Sequence, residues 1–318
     1  MEPMTMQAAV DEYVTFRRSV GVALRVEGQL LQHFARFAHQ TGHRGPITTD
    51  LAVRWAKLPS GASALYHAQR LDMIRRLARH RAPFDIGIEI PPEGLLGPSF
   101  RRGPPHIYTQ EQIAALMKAA SQLPSTKALR AHTYTVLFGL LACTGMRISE
   151  ALGLTRSDVD LAAGVITIRS GKFQTSRLVP THDLATPALR AYAEQRDRRI
   201  ARPRSDAFFL SESGTSLKYI TVHHTFDRLR HHLGWEAGRQ QRAPRIHDLR
   251  HTFTVRCLIR WYEQGAEIDR KIAALSTYLG HTDVTSTYWY LSAVPELLAL
   301  AAARFERGAT LSCAGGVR

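Results

Sequence analysis

His281 and Tyr290 stand nine positions apart in Leu279-Gly280-His281-Thr282-Asp283-Val284-Thr285-Ser286-Thr287-Tyr288-Trp289-Tyr290. Alone, the pair means little, because Tyr278, Tyr288, Trp289 and Tyr290 also read as an aromatic core cluster. Three upstream stretches change its weight. Thr144-Gly145-Met146-Arg147-Ile148-Ser149-Glu150 supplies Arg147, Gly171-Lys172 supplies a lysine, and Arg245-Ile246-His247-Asp248-Leu249-Arg250-His251-Thr252 supplies His247 and Arg250. Such a set can hold a phosphate with fixed cationic donors and attack it with a phenol oxygen.

Each member has its own physical logic. Ile148, Ala151 and Leu152 have helical spacing, so Arg147 falls at a helix start. There it can share an anion with free backbone N–H groups. Lys172 sits on a polar turn of a predicted hairpin. Lysine occupies only positions 57, 118, 127, 172, 218 and 271, leaving 36 of 42 basic residues to arginine. A lysine at a motif position therefore suggests a task that arginine cannot do, such as releasing a proton. His247 and Arg250, three apart, share a helical face. His247 and His251 are four apart, which suits a metal pair. Arg250 on that face would repel a cation, and no carboxylate stands where a hydrolytic base is needed, so no metal is expected.

The composition points to a polyanionic partner. The chain has 318 residues, 44% of them hydrophobic, and a net charge of +15. Such an excess attracts nucleic acid, where cations meeting phosphates release condensed counterions. Arginine is spread along the chain, which suits a long contact surface on folded domains. No run of about 18 apolar residues predicts a membrane span. The first residues lack a signal-peptide pattern, and Cys143, Cys257 and Cys313 form no C-x-x-C pair. A reducing cytoplasmic setting is the expectation.

The elements that position these residues follow from periodicity. Leu30, Leu31, Phe34, Phe37 and Ala38 line one helical face, and Thr48-Thr49-Asp50 caps a short helix carrying Leu51 and Trp55. A longer helix spans about 63–81. Its outer side carries Arg70, Arg75, Arg76, Arg79, His80 and Arg81, with no acidic partner in that stretch beyond Asp72, which favours DNA-backbone contact. Prolines and glycines over 91–107, around Arg101-Arg102, predict an exposed basic linker. Thr109 and Gln112 have capping-box spacing. Residues 164–169 and 178–179 predict a hairpin, and Phe208-Phe209-Leu210 a third strand. The sequence thus predicts a mainly α fold with a small antiparallel sheet and two domains.

Taken in order, T-G-x-R-x-S-E, G-K on a hairpin, H-x-L-R-H-T, L-G-H and a tyrosine nine residues later resemble the tyrosine recombinase (phage integrase) family over about residues 108–306. The resemblance implies a helical core-binding domain over 1–90, a linker over 91–107, an α+β catalytic domain over 108–306 and a flexible tail over 307–318. It implies that Arg147 and Arg250 grip the scissile phosphate with planar forks. Lys172 would protonate the leaving 5′ oxygen, His247 would take or steady the tyrosine's proton, and His281 would donate to the phosphate. Tyr290 would be the nucleophile, forming a 3′-phosphotyrosyl link without ATP, metal or other cofactor. Glu150 and His251 would support the site. Arg70, Arg75, Arg76, Arg79, Arg101 and Arg102 are the DNA-binding candidates. The implied partners are double-stranded DNA, a homotetramer or a mixed tetramer with related recombinases, and DNA-bending accessory proteins. The implied place is the bacterial nucleoid, and the implied role is integrase, transposase or dimer resolvase. A type IB topoisomerase and a DNA-binding regulator with a spent site are the rival readings. Leu291-Ser292 after the tyrosine departs from the x-His found in many relatives. Tyr288 offers a second phenol, but 288 and 290 lie ~200° apart on a helix, so only one can face a phosphate.

Overall fold

The computed structural model describes residues 5–100, 103–169, 176–181, 184–238, 242–281, 283–300 and 302. The chain divides into two compact units, Met1–Gly103 and Pro104–Arg318.

The first unit contains α1 (Met6–Ser19), α2 (Arg25–Gln40), α3 (Thr49–Lys57) and α4 (Ala64–Arg81). Hydroxyl side chains cap three of them. Thr5 accepts from the Ala8 N–H, Thr48 from Leu51 and Ser63 from Tyr66. Each cap satisfies a backbone donor that the first helical turn leaves orphaned. Val10, Leu31, Phe34, Trp55, Leu71, Ile74 and Leu77 fill the core.

The arginine face of α4 divides in two. Arg70 is buried, with its guanidinium 3.7 Å from the centre of the Trp55 ring and an N–H donated to the Trp55 carbonyl at 2.9 Å. Arg75 is also buried and donates to the carbonyls of Pro91 and Pro92, both at 2.8 Å. These two candidates face the protein, contrary to the solvent face expected from sequence. Arg76 and Arg79 are exposed but pair with Glu27 at 3.1 Å and Glu93 at 2.6 Å, and Arg81 pairs with Glu12 at 2.8 Å. The sequence reading found only Asp72 because the other carboxylates come from distant segments. The start of the expected linker is likewise held on α4 by the Arg75 and Arg79 contacts. Arg101 and Arg102 lie outside the described residues.

The second unit contains α5 (Gln110–Ser121), α6 (Arg130–Thr144), α7 (Ile148–Gly153), β1 (Val159–Asp160), β2 (Val165–Ile168), β3 (Arg177–Pro180), α8 (Ala185–Arg199), α9 (Tyr219–His232), α10 (Asp248–Glu263), α11 (Ile268–Leu279) and α12 (Thr285–Ala293). The predicted capping box forms at Thr109 and Gln112. The predicted hairpin is β2–β3, antiparallel, with Ile166 opposite Val179 and Ile168 opposite Arg177. The third strand of the sheet is β1, not Phe208-Phe209-Leu210. Those three side chains are fully buried, and the segment makes only isolated bridges. Hydrophobic composition there serves core packing, whereas the two residues of β1 are too few to show alternation. The mainly α architecture with a small antiparallel sheet is the one predicted.

Two apolar clusters organise this unit. Leu137, Phe138, Leu140 and Leu141 of α6 sit in the larger one. Val255, Leu258, Ile272, Leu275, Leu279 and Tyr290 join α10, α11 and α12 in the other.

Candidate active site

α6 ends at Gly145, which has φ +62°. A Cβ there would lie 2.4 Å from the Phe253 ring, so both the backbone and the close approach of α10 call for glycine. The reversal makes Arg147 the N-cap of α7. Glu150, one turn on, accepts from the Arg147 backbone N–H and from its guanidinium, each at 2.8 Å. The Glu150 carboxylate also receives two N–H groups of Arg177 from β3, at 3.0 and 2.8 Å. Burial alone would raise the Glu150 pKa, but the bonds from Arg177 and Arg147 outweigh it and hold it below the usual carboxylate value.

Three guanidiniums then meet the C-terminal end of α11. Arg177 Nε donates to the Tyr278 carbonyl at 2.7 Å, Arg250 to Leu279 at 2.8 Å, and Arg147 to Gly280 at 2.8 Å. Arg147 also reaches the Leu279 carbonyl at 3.5 Å. Carbonyls without helical partners and the negative end of the helix dipole make this a favourable seat for cations. Arg250, nearly fully buried, donates a further N–H to the Gly145 carbonyl at 2.9 Å. Burial and the neighbouring Arg147 charge pull its pKa down to about 10, so it remains protonated at neutral pH. Three guanidiniums against the single Glu150 carboxylate leave local positive charge. Both Arg147 and Arg250 keep N–H donors beyond those used on protein acceptors among the described residues.

His247 precedes α10 as its N-cap. Its side chain is exposed. Desolvation by the surrounding protein, then the charges of Arg250 and Arg245, push its pKa down to about 4, so it is neutral at pH 7. Gly280 at φ +67° turns the chain out of α11, and His281 Nδ1 lies 2.8 Å from the Thr287 hydroxyl. Lys172 lies outside the described residues.

The two phenols of α12 separate as helical geometry predicts. Tyr290 is 1% exposed, and its hydroxyl is 2.6 Å from His251 Nδ1. Tyr288 is 41% exposed and donates to Asp269 at 3.2 Å. The structure therefore gathers Arg147, Glu150, Arg250 and the α11–α12 turn around one positive centre, with His251 against Tyr290. Arg177 escaped the sequence reading. It looked like part of a polar turn, and only the fold brings it to Glu150.

Comparison with known proteins shows the family. The model of the phage integrase family matches residues 107–296. A Sinorhizobium fredii protein classed as an integrase/recombinase, y4rB, is 41% identical over 95% of this chain and 98% of its own length. The chain belongs to the phage integrase family. As a tyrosine recombinase it is a DNA breaking-rejoining enzyme. The tyrosine recombinase XerD of Bradyrhizobium diazoefficiens is 30% identical, over 84% of this chain and 85% of its own. Among solved structures, the Tn1549 transposon integrase in complex with transposon right-end DNA shares the fold. It has a TM-score of 0.69 at 19% identity, covering 96% of this chain and 99% of that one.

Proposed function

We propose that this recombinase binds duplex DNA and exchanges strands through Tyr290, by way of a 3′-phosphotyrosyl link and a free 5′ hydroxyl. The observation that carries the reading is the shared Leu279 carbonyl, which accepts from both Arg147 and Arg250. It sets two guanidinium forks side by side at the turn leading into the helix of Tyr290. Planar forks suit the non-bridging oxygens of a phosphodiester and stabilise the charge that grows there in the transition state. In this scheme the O–H of Tyr290 gives its proton to a neighbouring histidine, its oxygen bonds to phosphorus, and the bond from phosphorus to the 5′ oxygen breaks. Lys172 protonates that oxygen, and His247 and His281 donate to the phosphate. The covalent link conserves the free energy of the phosphodiester, so rejoining needs neither ATP nor metal.

Both units would contact DNA, the first through its helices and the second around the site, with Arg76 and Arg79 as the surface candidates of α4. Assembly as a tetramer on two sites, assisted by DNA-bending proteins, and service to a mobile element complete the proposal. A mobile-element role is supported by the likeness to the Tn1549 integrase and to y4rB.

The test is a library of nicked duplexes randomised around the nick, from which covalent adducts are recovered and sequenced. The expected adduct disappears in Tyr290→Phe and persists in Tyr288→Phe. Persistence in Tyr290→Phe would overturn the reading.

A further inference from the structure

We propose that His251, rather than His247, is the base that takes the Tyr290 proton, and that it holds the hydroxyl ready beforehand. This rests on the reading of Tyr290 as nucleophile. The family resemblance assigns His251 only a supporting place.

The geometry begins with two buried side chains. Tyr290 is 1% exposed and His251 8%, and Nδ1 stands 2.6 Å from the phenol oxygen. A buried phenol needs an acceptor for its proton. Nδ1 can accept only in the neutral tautomer with its hydrogen on Nε2. That tautomer presents a lone pair along the path the proton takes when the phenol becomes a nucleophile, within the reach a general base requires. The Trp289 and Tyr290 rings flank the imidazole from α12, at 6.1 and 5.4 Å between centroids.

His247 is suited to a different task. Its ring meets His251 edge to face at 4.8 Å. Crowding and nearby arginines disfavour its protonated form. The 2.6 Å contact with the phenol oxygen belongs to His251, and that geometry distinguishes the two imidazoles. His247 can orient the His251 ring and, as a neutral imidazole, donate to a phosphate.

The surrounding charge couples the base to DNA. His247 comes from the N-cap of α10, Asp248 and Arg250 from α10 itself, Arg147 and Glu150 from the start of α7, Arg177 from β3, and Tyr290 from α12. Before DNA binds, the three arginines oppose a further positive charge beside them. A bound phosphodiester offsets them, so proton transfer becomes favourable when the substrate is in place. The Tyr290 O–H bond breaks, the proton goes to Nδ1, the phenol oxygen bonds to phosphorus, and the 5′ oxygen leaves with a proton from Lys172. Rejoining returns the proton from Nδ1 to Tyr290.

The test uses the full chain and the duplex recovered from the library above, under single-turnover conditions. The side-chain amide of His251→Asn can still hydrogen-bond near the Nδ1 position but cannot take a proton. Adduct formation should slow by about 10²–10⁴-fold and lose the rise with pH expected of the wild type, while non-covalent DNA binding is retained. A duplex with sulfur at the bridging 5′ position separates base from acid, because a thiolate leaves without protonation. It should restore Lys172→Ala but not His251→Asn. The wild type on that duplex gives a readout independent of any variant's folding, since its rate should still climb with pH. A flat wild-type profile, a wild-type rate in His251→Asn, or its full rescue by sulfur would overturn the inference and leave Tyr290 as nucleophile. An adduct that survives Tyr290→Phe would overturn both.

Discussion

Glu150 and Arg177 form a two-pronged ion pair, 3.0 and 2.8 Å long, that ties β3 to the first turn of α7. The same carboxylate holds Arg147, and the same guanidinium holds the Tyr278 carbonyl. The return strand of the β2–β3 hairpin is thereby fastened to Arg147 and the end of α11. Removing one partner leaves a buried charge only partly matched. Arg177→Ala should cost about 3 kcal/mol, read as a lower urea midpoint. Arg177→Lys should recover part of the stability but not the forked geometry.

Arg147 and Arg250 should not tolerate lysine. Each uses separate N–H groups on different carbonyls, and an ammonium cannot span both those acceptors and a phosphate. Arg147→Lys and Arg250→Lys should each reduce adduct formation by roughly 10²–10³-fold. Duplex affinity, measured by gel shift, should change far less, because phosphate contacts elsewhere dominate it.

Gly145 and Gly280 are predicted to differ in what replacement costs. Both have positive φ, so alanine carries a backbone penalty of about 1–2 kcal/mol at either. At Gly145 the new Cβ would also meet the Phe253 ring at 2.4 Å, whereas at Gly280 it meets the end of the Arg177 side chain at 2.8 Å. A ring packed between helices cannot move aside as a guanidinium can. Gly145→Ala should lower the melting temperature more, and Gly280→Ala should disturb cleavage more.

Acid should weaken the fold in two stages. His247 has a folded pKa near 4, below its ordinary 6.5, so the unfolded chain binds a proton that the folded chain refuses. Stability present above pH 6.5 is lost as pH falls toward 4. Glu150 is also depressed, so its contribution is present above 4.5 and lost below it as the carboxylate is protonated. Urea midpoints at pH 7 and pH 5 should differ less in His247→Gln than in the wild type.

Much of the site was legible in the sequence because its members sit at fixed offsets on local elements. The turn at Gly145 puts Arg147 at a helix start, the spacing of His247 and Arg250 sets them on one turn, and helical phase separates Tyr290 from Tyr288. Periodicity and capping residues likewise predicted helices in both units and the β2–β3 hairpin, since these depend on neighbours in the chain. Pairings across the chain had no such signal. Arg70 and Arg75 read as a basic surface, yet the fold turns them onto the Trp55, Pro91 and Pro92 carbonyls. Arg177 read as part of a turn until β3 carried it to Glu150. His251 read as a supporting residue until α10 and α12 packed together and set Nδ1 against the Tyr290 hydroxyl. Residue type and spacing determined which chemical groups the chain can offer. Only tertiary packing decided which of them meet, because burial forces each polar group to find a partner wherever the fold places one.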